Sequence, residues 1–127
     1  MTQEGKELLL QDLCCRLPYG VKCQVFNDTN PYTLSGILYN KPFSQLYFEE
    51  LDWKEHDGFI GIEYCKPYLF PLSSMTEEQK KEEYEICKYH LNGYESKLVD
   101  FYNKHHFDYR GLIPMGLAID ATSKNVY

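Results

Sequence analysis

The sequence predicts an α+β domain. A small curled antiparallel sheet, or an SH3-like open barrel, of about four to five strands over residues 21–70 packs with an N-terminal helix and a C-terminal helical hairpin. Three observations predict it. Apolar residues recur at helical spacing before Pro18 and again after Thr76. Between these stretches, short runs alternate apolar and polar residues and are punctuated by Gly, Pro and Asn. Two of the runs hold an internal glycine, Gly36 and Gly61, which a bent strand uses and a flat one does not.

Residues 3–17 form the first predicted helix. Leu9, Leu10, Leu13 and Leu17 share a stripe, with Glu4 and Glu7 near the start and Arg16 near the end, as the helix dipole prefers. Pro18 and Gly20 stop it. Residues 21–26 alternate with the period of a half-buried strand, and residues 27–31 have the composition of a turn. Residues 33–39, 45–51 and 59–64 read as further strands, separated by Asn40-Lys41-Pro42 and by a charged loop over residues 52–58 around Trp53.

Pro67 and Pro71 supply no backbone donor, so residues 66–71 read as an edge strand or an extended crossing. Ser74 with Glu77, or Thr76 with Gln79, has capping-box spacing for a helix that runs to about His90 and ends at Asn92-Gly93. A second helix over residues 94–105 carries Tyr94, Leu98, Phe101, Tyr102 and His105 on one face, and the short link folds the two into a hairpin. Residues 107–119 are apolar but broken by Gly111, Pro114 and Gly116, so they read as an irregular segment against the core. Residues 120–127 read as loose.

The 127 residues and 15.0 kDa fit one domain, residues 1–127. The formal net charge is −6, the arginines are Arg16 and Arg110, and the longest basic run is Lys80-Lys81 between acidic residues. That balance disfavours nucleic acid as a direct partner. The five cysteines are odd in number and form no CxxC pair, which points to free thiols and a cytoplasmic setting. No charged leader or long apolar run is present, so no membrane association is expected. Phosphate-loop, nucleophile-elbow and dinucleotide fingerprints are lacking, and no cofactor is expected. Association into a homo-oligomer is compatible with all of this.

Several groups could carry chemistry. His105, His106 and Asp108 combine two imidazoles with a carboxylate, the residue types of a divalent-metal site or of acid–base work, at a spacing that matches no metal signature. Glu49, Glu50, Asp52, Glu55, His56 and Asp57 cluster around Trp53 and read as a solvated hairpin end, with an ion loop or a hydrolytic carboxylate pair as the functional alternatives. Cys65, beside Lys66, is the best candidate for an activated thiol. Tyr64, Tyr68 and Phe70, with Tyr32, Tyr39 and Tyr47, form a potential aromatic face. For partner binding, residues 67–70 stand out through Tyr68 and Phe70, and the tail stands out through Tyr109 and Arg110.

Over residues 8–21 (LLLQDLCCRLPYGV), 66–76 (KPYLFPLSSMT) and 106–118 (HFDYRGLIPMGLA), the chain resembles a group of short uncharacterised proteins carried by phages and other mobile elements of intestinal bacteria. The resemblance implies a cytoplasmic setting and a phage origin, and brings no activity or catalytic residue with it. The leading expectation is a non-enzymatic protein-interaction module, a phage-borne modulator of a host or phage protein. The alternatives are a nucleic-acid-binding or regulatory small barrel and a small metal-dependent hydrolase.

Overall fold

The structure, a computed structural model, describes residues 1–40, 43–53, 56–88 and 94–127. Helix α1 spans Gln3–Arg16 and starts where the Thr2 hydroxyl accepts the Gly5 N–H at 3.0 Å. Leu9 and Leu13, one turn apart, are fully buried. A 3-10 turn at Leu17–Tyr19 and Gly20 at φ +70° end the helix.

The strands divide between two sheets. In the first, β1 (Lys22–Val25) turns Cys23 and Val25 inward and Lys22 and Gln24 outward, and β2 (Tyr32–Thr33) pairs with it antiparallel. Leu34 then enters the core while its N–H donates to the Val21 carbonyl at 3.0 Å. The next amide, that of Ser35, donates instead to the Tyr47 carbonyl at 2.9 Å, so the chain changes sheets at Ser35 and the single strand expected over residues 33–39 is two. The chain crosses into a second, antiparallel sheet ordered β3 (Gly36–Asn40), β4 (Phe43–Trp53), β5 (His56–Gly61). Gly36 is not a bulge. A Cβ there would stand 3.6 Å from Tyr47 Cβ, and the register slip lies between Tyr47 and Asp52 on β4.

Strand β6 (Cys65–Pro71) corrects the expectation of an edge. It pairs antiparallel with β1 and in parallel with β7 (Phe107–Asp108) and β8 (Ile119–Asp120). Phe70 donates to the His106 carbonyl and Leu69 accepts from Ala121, both at 2.8 Å. Successive residues of a strand present their amides to opposite edges, so β6 has neighbours on both sides. The prolines are tolerated for the same reason. Phe26 N–H donates to the Tyr64 carbonyl at 2.8 Å, which turns residues 64 and 66 toward β1 and Pro67 away from it. On the far side pairing begins only at Tyr68, and Pro71 closes the strand.

Among the described residues the two sheets share no strand and neither closes into a barrel. They share a core with α1. Leu9 and Leu13 meet Cys23, Val25, Cys65 and Leu69 of the mixed sheet and Leu46, Phe48 and Ile60 of the antiparallel one, with Leu112 from the tail. The α+β class and the N-terminal helix hold, while the one curled sheet is two.

Helix α2 spans Glu77–Cys87 and α3 spans Tyr94–Lys104. Of the two capping boxes read in the sequence, Thr76–Gln79 forms, with both reciprocal bonds present, while the Ser74 hydroxyl donates to the Pro71 carbonyl. The Tyr102 hydroxyl donates to Glu83 at 2.7 Å and links the helices. The expected end at His90 and Asn92-Gly93 lies outside the described residues. The final segment is not loose. Ala121 and Val126 are buried on Tyr68, and β8 pairs with β6. No helix among the described residues is long and apolar enough to cross a membrane.

Candidate functional site

Arg110 and Tyr109 belong to a cluster that ties α1 to the tail. Asp12 and Arg16 lie one turn apart on the Leu9–Leu13 stripe, and both are fully buried. Arg16 Nε donates to Asp12 Oδ2 at 2.7 Å and Nη2 to the Phe107 carbonyl at 2.6 Å. Arg110 Nε donates to the other Asp12 oxygen at 3.2 Å. The Tyr109 ring lies against both guanidinium groups, each 5.1 Å from its centroid, and stacks on Tyr102. Removing these charges from water is costly, and pairing each carboxylate oxygen with a different guanidinium offsets part of the cost. Arg110 and Tyr109 thus hold the fold together and present only part of their surface. The sequence did carry a signal for Asp12 and Arg16, an acid and an arginine at i, i+4 inside an apolar stripe.

The structure does not gather His105, His106 and Asp108 into a metal-holding set, and among the described residues no group of three or more His, Cys, Asp or Glu is so placed. Both Asp108 oxygens are taken, accepting the Leu112 N–H at 2.8 Å and the Ile113 N–H at 2.9 Å. His105 packs edge-on against Phe101, with Glu82 3.8 Å from its Nε2. His106 has φ +61° and stacks on Tyr127 with centroids 3.8 Å apart. Burial first, then Arg16, His105 and Lys22, bring its pKa down to about 4, so it is neutral near pH 7. Cys65 is no activated thiol, since burial and then Glu63 push it up to about 12. In the acidic cluster, Glu49, Glu50 and Asp57 are exposed, while Lys54, Glu55 and the side chains of Asp52, Trp53 and His56 lie outside the described residues.

What remains is the outer face of the mixed sheet. Cys65, Pro67 and Leu69 of β6 face the core, so Lys66, Tyr68 and Phe70 face outward, in line with Tyr64. Of the aromatic residues read in the sequence, Tyr64, Tyr68 and Phe70 share this side, Tyr32 on β2 lies opposite Cys23 and packs against the core, and Tyr39 and Tyr47 belong to the other sheet. Three hollows follow one another along it. The first, about 260 Å³, is lined by Phe26, Tyr64, Gln24, Asn27, Glu63 and Lys66. The second, about 320 Å³, shares Gln24 and has Tyr68 on its floor beside Ile119 and Lys124. The third, about 350 Å³, lies between Phe70, Lys104, His105, His106 and Tyr127. Tyr68 is only 3% exposed, so it serves as floor and offers no ring to a partner.

At the open end, Phe26 and Tyr64 stand with ring centroids 5.1 Å apart, and each is 52% exposed. Phe26 has φ +54°. For a bulky residue this left-handed conformation costs about 1–2 kcal/mol, and the ring it carries stands half in water. Residue 26 lies one step past β1, and nothing in the sequence marked it.

No family model, curated protein or solved structure matches the chain. Its chemistry is therefore read from the face alone. The face offers ring planes, amides and lysines set around the three hollows.

Proposed function

We propose that the chain is a non-enzymatic protein-interaction module that captures an extended segment of a partner protein along the outer face of β1 and β6. The observation that carries this reading is Phe26, a strained and half-exposed aromatic residue paired with Tyr64 at the mouth of a row of hollows. Strained conformations persist where function uses them, and exposed aromatic anchors dominate interface energies. The row runs along the strand direction, which fits an extended segment. We also read α2 and α3 as a helical hairpin beside this face, on the strength of the Tyr102–Glu83 bond. The resemblance to short phage-borne proteins is in keeping with a cytoplasmic modulator of a host or phage protein.

Affinity capture from cells of origin, with wild-type chain and with Phe26→Gly and Tyr64→Ala, tests this. Glycine relieves the positive φ, so Phe26→Gly is expected to be no less stable than wild type while losing capture, with affinity down about 10–100-fold. Undiminished capture by both variants would sink the proposal. A second reading, single-stranded nucleic acid on the same rings, is favoured by exposed Lys66 and Lys124 beside them. A steep salt dependence of oligonucleotide binding is its expected signature.

A further inference from the structure

We propose that the chain forms a two-fold homodimer through antiparallel pairing of β3 with β3 of a second copy, centred on Leu38. This surface is separate from the proposed partner face. Strand β3 is at an edge of its sheet, since among the described residues it pairs with β4 alone. Edge strands are ordinarily blunted by shortness, charge, proline or a bulge. The other edges here are blunted. Strands β2, β7 and β8 have two residues each, and β5 carries Asp57, Gly58 at φ +83° and a register shift against β4. By contrast β3 is five residues long, uncharged, free of proline and in unbroken register with β4.

Its exposed side chains are apolar on both faces, with Leu38 45% and Tyr39 58% exposed. Ile37 is half-buried against the core. Pairing about Leu38 sets Tyr39 opposite Ile37 of the second copy, and Ile37 opposite its Tyr39, two aromatic–β-branched pairs of the kind that stabilise sheets. A two-fold contact must be self-complementary, and this pentapeptide is. On the other face Leu38 meets Leu38, beside the Tyr47–Phe59 ring pair. Both copies carry net charge −6, yet no charged residue lies on β3 or on residues 44–48 of β4 beside it, so the pairing brings no like charges together.

Sedimentation velocity on the full chain from about 1 to 500 μM tests the proposal. Wild type is expected to shift toward twice the 15.0 kDa monomer mass as concentration rises. Leu38→Lys, which faces two ammonium groups across the axis, is expected to weaken the dimer at least about tenfold, and Leu38 is exposed enough for the variant to fold. Amide exchange on wild type gives a readout without mutation, with β3 protected more at high concentration. A chain that stays monomeric overturns the proposal. A dimer that Leu38→Lys leaves intact, or that forms without new protection in β3, also overturns it.

Discussion

Asp12 and Arg16 carry opposite charges where the core admits none unpaired, and each is tolerated because of the other. Asp12→Ala is expected to cost about 3–5 kcal/mol in urea unfolding, since it leaves a guanidinium buried without its carboxylate. Replacing both residues with apolar ones of similar size is expected to cost less than the single change, which a double-mutant cycle reads directly. His106 gives a pH signature. Its pKa falls from an ordinary 6.5 to about 4 on folding. Above pH 6.5 it is neutral folded or unfolded and contributes no slope. As pH drops toward 4 the unfolded chain takes up a proton that the folded one refuses, so stability declines across that window and levels off below it. The neighbours that resist the proton are Arg16, Lys22 and His105, with Tyr127 stacked over the ring. His106→Asn tolerates the positive φ and does not titrate. It is expected to abolish a slope worth on the order of 2–3 kcal/mol between pH 6.5 and 4.

Among the elements, α1 and the start of α2 were legible because helix periodicity and capping chemistry are local. Thr76→Ala is expected to cost about 1 kcal/mol and to speed amide exchange through the first turns of α2, which bury no residue. The strands were legible as runs but not as a pairing scheme. Proline in β6 argued for an edge, and the pairing instead turns Pro67's nitrogen away from β1, where sequence alone does not show it. The division between sheets depends on successive amides, Leu34 reaching Val21 and Ser35 reaching Tyr47, and the burial of Ala121 and Val126 depends on Tyr68 beneath them. Each is a contact between segments distant in sequence, on which spacing within a segment has no bearing. The candidate site was half visible for the same reason. Tyr68 and Phe70 follow the alternation of one strand and Tyr64 directly precedes it, whereas Phe26 joins them only through pairing.

Across the whole molecule, the tail fastens early segments to late ones. The Lys22 N–H donates to the Tyr127 hydroxyl at 2.9 Å, and that hydroxyl donates to the Tyr68 carbonyl at 2.8 Å, bridging β1 and β6 through a phenol. Tyr127→Phe is expected to lose about 1–3 kcal/mol in denaturant unfolding, since it strands a donor and an acceptor together. The Arg16 bond to Phe107 spans 91 residues and has a consequence for synthesis. While the ribosome is still adding the middle of the protein, the first helix has no carbonyl to receive its guanidinium and no Leu112 to cap its greasy side. Nascent chains arrested before that carbonyl emerges should stay digestible by protease, and full-length released chains should resist. Folding of the first helix thus waits on residues 107–112, which receive its guanidinium and cover its apolar side.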